Sequence, residues 1–430
     1  MELQALHLKN HKYGLFLKRR FMPLFLATFL GAFNDNLLRS GLVIMIAYSA
    51  HTGVMTFARP EILVTICSAL LMLPFILFSS LAGSIADKYE KSRLVVIAKA
   101  AEIFIMLAVF YGFWEHDIKL LMCLLFVSGT HTTFYGPIKF SILPDHLRSG
   151  ELLAGNGFIA GGGYIAILFG LIAGGLLVAM PHNIVGYVAV GVAVVGFIAS
   201  LFIPLSPASH PQTTIKLNLW SGTKEIVGYA CIDRKIMLSI FALSWFLVVA
   251  SLYMAQFANY AQGVVHATHE VYILFLIVFS VGTATGSLVC DTLLKGEVST
   301  RLTSVAAFGL SLFTFLMVLT TPTNTTGPLL DAAAFVAVPQ HWLVLGCMTM
   351  VAFCGGIYIV PLYALLQSKT PPQYRSRIMA ASNLSDALFM TVSATVSSLL
   401  LYMGFGILDL FLVIAFLNLG VVWYAKRVLS

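Results

Sequence analysis

Long apolar runs separated by short polar breaks make up almost the whole chain. Runs near or above the roughly 20 residues that a helix needs to cross a hydrocarbon core about 30 Å thick cover about 21–48, 61–86, 93–113, 119–138, 152–180, 184–204, 236–261, 270–291, 302–320, 341–367, 376–402 and 405–425. They are too long for barrel strands, and a chain in lipid must satisfy its backbone within each helix. The pattern therefore predicts an all-α membrane protein. The longest polar interruption, "SPASHPQTTIKLNLWSGTKE", lies between the sixth and seventh runs and reads as a linker. The expected organisation is a tail (1–20), a six-helix half (21–204), a linker (205–235) and a second six-helix half (236–430).

Composition agrees with this reading. Of 430 residues 59% are hydrophobic and 10% charged, against about a quarter charged in soluble domains. The net charge of +7 is no sign of nucleic-acid binding, because the bases sit in loops and no folded basic domain remains to use them. Those loops set the orientation. With both termini in the cytoplasm, 21 of the 25 Lys and Arg fall on the cytoplasmic side, as the positive-inside bias requires. The basic N-terminus lacks a small-residue cleavage site and is expected to stay as an uncleaved tail. The six cysteines have no metal or CxxC spacing and read as small buried hydrophobes. No GxSxG, HExxH or GxxxxGK[ST] pattern occurs, so neither an enzyme nor a cofactor or metal site is expected.

The halves echo each other. Asp87-x-x-x-Lys91 recurs as Asp291-x-x-x-Lys295, and Pro144, Arg148, Ser149, Ala154 and Asn156 recur as Pro371, Arg375, Ser376, Ala381 and Asn383. The change of offset between these two matches is absorbed by the outer insertion "TPTNTTGPLLDAAAFVAVPQ". Twelve transmembrane helices in two pseudo-symmetric six-helix halves are the architecture of many secondary transporters.

The loop "GSIADKYEKSR", with Gly83, Asp87, Lys88, Lys91 and Arg93, resembles the loop after helix two in the major facilitator superfamily; Glu90 stands where that family usually has Gly. Gly83 permits close helix approach, and Asp87 can cap a helix N-terminus or pair with a base across the bundle. These five residues are expected to form an inner gate. Three further stretches, "FLGAFNDNLLRSG", "FYGPIKFSILPDHL" and "ELLAGNGFIAGGGYIAILFGLIAGG", are similar to the bacterial lysophospholipid transporter family; with the loop they cover roughly the first 180 residues. The resemblance implies that a lysophospholipid is moved between leaflets of the bacterial inner membrane for reacylation; transport by alternating access and a monomer are expected. The resemblance also implies a cytoplasmic acyltransferase as partner, none being expected behind the twelfth span.

Charged groups at a helix centre cost about 2.5–3.5 kcal/mol on insertion scales, so they face a cavity or a partner. In the first span Asp35 lies about 20 Å beyond Phe21, with Arg39 one turn later on the same face. The two either neutralise each other or form, with Asn34 and Asn36, a polar wall that meets a headgroup. For an ethanolamine headgroup Asp35 accepts from the ammonium, and Arg39 or Lys139 neutralises the phosphate. Lys139 lies near the cytoplasmic end of its span, too far inward to share a static site with Asp35. Lys99 and Glu102 read as an ion pair or a transport pair, and Asp386 as a coupling carboxylate or the partner of a base on another span. Gly170 and Gly174 form a helix-packing GxxxG, and Gly355, Gly356 and Pro361 mark a flexible tenth span. Two other functions fit the same spans: transport of another amphiphile, a drug or a siderophore, and a non-transporting receptor or scaffold.

Overall fold

The computed structural model describes residues 14–51, 60–180, 183–216, 218–322 and 328–428. Lys9, Lys12, Arg59 and the side chains of Lys426 and Arg427 lie outside the described residues, as do residues 323–327 of the outer insertion.

The chain is all-α. Among the described residues six long helices precede the linker: α1 (Met22–His51), α2 (Pro60–Lys88), α3 (Lys91–Trp114), α4 (Ile118–Ser141), α5 (Leu152–Leu177) and α6 (Ile184–Ser200). Six follow it: α7 (Arg234–Asn259), α8 (His269–Leu294), α9 (Arg301–Thr320), α10 (Pro339–Lys369), α11 (Arg375–Tyr402) and α12 (Ile407–Val428). Among the described residues nine helices are long and apolar enough to cross a membrane, and Ile184–Ser200 and Ile407–Trp423 are shorter apolar helices. The chain is thus a multi-span membrane protein. Apolar residues all round these helices are what a helix buried in lipid or in other helices requires.

The linker departs from its expected loop character. Residues Leu219–Ile232 form a helix whose start is capped by the Asn218 side chain, which accepts from the Ser221 N–H at 3.1 Å. Ile226 and Ala230, four apart, bury one face of it, and Gly222 sits against the Ser80 side chain of α2. The cysteines also divide: Cys67, Cys290 and Cys354 are buried, whereas Cys123 and Cys231 are exposed.

The chain falls into two compact units. One gathers residues 1–151, 166–233 and 367–387, and the other 152–165, 234–366 and 388–430. Glycine makes the close approaches within each. In the first, Gly170 and Gly174 of α5 lie directly under the Phe33 and Leu37 carbonyls of α1, where no Cβ fits, and a Cβ on Gly83 of α2 would lie 2.7 Å from Ala380 of α11. In the second, a Cβ on Gly157 of α5 would lie 2.6 Å from the Ser287 carbonyl oxygen of α8. Ser287 is the residue that matches Gly83 in the sequence repeat.

The second unit is apolar and aromatic at its centre. Tyr253, Phe257, Phe279 and Phe411 stack together. Two tyrosine–threonine bonds at matched seven-residue spacing, Tyr253–Thr314 (2.7 Å) and Tyr260–Thr321 (2.6 Å), tie the α7 segment to α9.

Candidate functional site

Consecutive residues of a helix turn by about 100°, so Asn34, Asp35 and Asn36 meet different neighbours. Asp35 faces α4, where its carboxylate accepts from Ser128 Oγ at 2.6 Å and Thr132 Oγ1 at 2.7 Å. Asn34 is fully buried and donates to Glu102 of α3 at 3.2 Å and to the Ala189 carbonyl of α6 at 3.1 Å. Asn36 donates back to the Ala32 carbonyl of its own helix, and Arg39 is half-buried one turn beyond Asp35. The expected single polar wall is therefore divided: Asp35 contacts α4, and Asn34 joins α1 to α3 and α6.

Lys99 and Glu102 form an ion pair of 2.6 Å, 1% and 4% exposed. The Lys99 ammonium also lies 5.0 Å from the centre of the Tyr135 ring, and the Tyr135 hydroxyl shares a 2.9 Å hydrogen bond with Thr28 of α1. Gly31 makes room for this pair, since a Cβ there would lie 2.5 Å from Lys99 Nζ. His131 of α4 lies 3.0 Å from the Ala98 carbonyl.

Sequence reasoning missed three residues on α4, Ser128, Thr132 and Tyr135; with Lys139, which it did single out, they follow a 4, 3, 4 spacing that places them on one helical face. That period is legible in "SGTHTTFYGPIK" once Asp35 is known to need a partner. The backbone of Lys139 is about 10 Å beyond Thr132 along the helix, but a helical side chain leans toward the N-terminus of its helix, here toward Asp35.

A second cluster surrounds the turn between α2 and α3. Asp87, fully buried, accepts from the backbone N–H groups of Ser376 (3.0 Å) and Arg377 (3.3 Å) and from Arg377 Nε (3.0 Å). It caps the N-terminus of α11 from another helix, where donors are unsatisfied and the helix dipole favours an anion. Lys91, 1% exposed, pairs with Asp145 at 2.8 Å and donates to Ser209 at 2.6 Å, while Arg375 reaches the other Asp145 oxygen at 3.2 Å. Ser376 Oγ lies 3.0 Å from Ser141 Oγ of α4. Of the five expected gating residues, Gly83, Asp87 and Lys91 join this network. Lys88 and Arg93 do not, because the turn directs them to local partners, the Tyr89 ring and Glu90. Glu90 has extended backbone (φ −62°, ψ 120°), so glycine is not needed there.

Arg377 is held on a second side by the linker helix. Glu225 lies 3.3 Å from its guanidinium and 2.8 Å from Lys216. The Tyr229 and Tyr374 rings stack at 4.6 Å and lie 4.8 and 4.9 Å from the guanidinium carbon. The Lys216 hydrogen bond, with the charges of Lys216 and Arg377, holds Glu225 below the usual carboxylate range. Asp386, 8% exposed, lies further along α11.

Similar proteins share this fold. The human organic anion transporter MFSD10 (TETRAN) superimposes with a TM-score of 0.70 at 14% identity, over 94% of this chain and 98% of that one. The Escherichia coli fucose:proton symporter FucP does so with a TM-score of 0.69 at 13% identity, over 95% and 98%. Among curated sequences, the lysophospholipid transporter LplT of Citrobacter koseri is 25% identical over 389 residues, 89% of each chain. LplT of Escherichia coli O1:K1 / APEC is 25% identical over 384 residues, 88% of each. Residues 24–338 match the sequence pattern of the Major Facilitator Superfamily. With its multi-span helical fold and a match to the superfamily pattern over most of its length, the chain belongs to the major facilitator superfamily, and its activity is secondary transport.

Proposed function

We propose that the protein carries lysophospholipid, with lysophosphatidylethanolamine as the favoured cargo, across the bacterial inner membrane by alternating access. The observation that carries this reading is the Asp35 carboxylate, half-buried within α1 and oriented by two α4 hydroxyls, with the Lys139 ammonium on the same α4 stripe. An acid and a base on one polar stripe fit a zwitterionic headgroup. Asp35 takes the ammonium, Arg39 and Lys139 take the phosphate, and Asn36 lines the approach. Asn34, Lys99 and Glu102 brace the site from behind. The similarity to LplT proteins over most of the chain supports the cargo.

In the same reading the chain makes twelve spans in two related halves, supported by α1, the nine long apolar helices and the two shorter ones. Both termini are cytoplasmic. The Asp87–Arg377 and Lys91–Asp145–Arg375 pairs form the inner latch, which must break for the headgroup to leave inward. The protein acts as a monomer and hands its product to a cytoplasmic acyltransferase.

The test is uptake of labelled lysophosphatidylethanolamine by spheroplasts lacking their own transporter, with wild type or Asp35→Asn at equal membrane levels. Uptake by the wild type and its loss in the variant are expected. A well-folded wild type that takes up none refutes the cargo.

A further inference from the structure

The first turns of α11 lie against α4 in a register fixed by two contacts. Ser376 meets Ser141, and Asn383 meets Gly136, where a Cβ would lie 2.6 Å from Asn383 Nδ2. As α11 ascends, α4 descends, so Asn383 stands opposite the turn of α4 that leads to Lys139. Gly136 is the residue that lets the amide come this close to the α4 backbone.

Two donors on these facing segments of α11 and α4 have no acceptor among the described residues. Asn383 Nδ2 is buried and makes no hydrogen bond among the described residues. Lys139 has no carboxylate within ion-pair distance among the described residues; its ammonium lies 5.0 Å from the centre of the neighbouring Phe140 ring. A buried donor without an acceptor is costly, and an ammonium inside a span ordinarily faces a partner or a transported ion. A neutral donor against Gly136 and a charged donor three residues further along the same helix suit an anion with several acceptor oxygens, and a phosphodiester has them.

We infer that Asn383 and Lys139 form an anion subsite that takes the phosphodiester of the substrate, Asn383 donating its amide N–H to a non-bridging oxygen while Lys139 supplies the charge. This rests on the lysophospholipid reading and deepens it, because it brings α11 into contact with the headgroup. The helix that carries the latch residues Ser376 and Arg377 then also carries a substrate contact two turns further on. Phosphate binding at Asn383 and opening at Asp87 act on the same rigid element.

The experiment measures affinities of purified protein in nanodiscs for lysophosphatidylethanolamine and for a monoacylglycerol of the same acyl chain, which lacks the phosphate. Wild type is compared with Asn383→Ala and the near-isosteric Asn383→Asp, and melting temperatures check folding. Wild type should prefer the phosphate-bearing lipid. Asn383→Ala should lower that preference by about ten- to hundredfold, the worth of a hydrogen bond to a charged group, with monoacylglycerol affinity unchanged. Asn383→Asp should lower it further by repelling the phosphate.

Variants that keep the wild-type preference, or that lose both lipids equally, overturn the subsite and leave lysophospholipid transport standing. Wild type that binds neither lipid overturns the lysophospholipid reading itself. Competition by inorganic phosphate without any preference between the two lipids overturns the headgroup assignment in favour of a free anion.

Discussion

Asp87→Asn isolates the charge of the proposed latch with almost no change of shape. In the wild type the carboxylate is fully buried and accepts three hydrogen bonds, two from the first N–H groups of α11 and one from the Arg377 guanidinium. The amide keeps one oxygen but turns an N–H₂ toward donors. Removing one partner of a buried ion pair costs about 3–5 kcal/mol, and the helix N-terminus adds about 0.3–1 kcal/mol for the lost anion. Arg377 keeps Glu225 and its two tyrosines, which holds the loss near 3 kcal/mol. At about 1.4 kcal/mol per tenfold, the latched population relative to the open one falls by about a hundredfold. The assay places a single cysteine at Ser376, fully buried beside Ser141, in a background without other cysteines, and follows its maleimide labelling from the cytoplasmic side. Labelling should be slow while Asp87 is intact and about a hundredfold faster in the Asp87→Asn variant, until unlatching is no longer limiting. An unchanged rate would show that Asp87 does not hold α11 and would refute the latch.

Three further outcomes follow from the same contacts. Ser128→Ala and Thr132→Ala should each lower uptake efficiency by about ten- to hundredfold, the worth of one hydrogen bond to a charged group, and the pair should be worse than either alone in the spheroplast assay. Lys99→Met or Glu102→Leu alone should destabilise the protein by about 3–5 kcal/mol, whereas the two together should recover much of that loss, read from melting temperatures in a double-mutant cycle. Glu225 is held below its ordinary value of 4.5. Its contribution is therefore fully present above that value and is lost as pH falls through the lowered one. A fluorophore on the linker helix should report no change between pH 6 and 8 and release only in acid, and release near neutrality would contradict that role for Glu225.

Much of the architecture was readable because hydrophobic length is dictated by the membrane. The ends of α1 to α4 fall within a few residues of the apolar runs. The linker helix was missed, because Pro, Ser and Thr upstream mask a start signal that lies in Asn218 and the Ile226/Ala230 spacing. At the candidate site, Asp35 was conspicuous since a charge within a span needs a reason. Its partners were not, because Ser128 and Thr132 are ordinary residues whose meaning depends on which face of α4 meets α1. Asn34 shows the same limit in reverse. It is adjacent to Asp35 in sequence yet turned by a third of a circle, into a brace with Glu102. Asp87 was read as a cap or an ion-pair partner, and its geometry combines the two through successive residues of α11, Ser376 and Arg377.

The most direct test of the account uses purified protein in liposomes containing fluorescent lysophosphatidylethanolamine in the outer leaflet only. Albumin extracts whatever remains outside at successive times. The account predicts that the extractable fraction falls faster with wild-type protein than in protein-free liposomes or with Asp35→Asn. Equal rates in all three, from protein that is folded and correctly inserted, would contradict it.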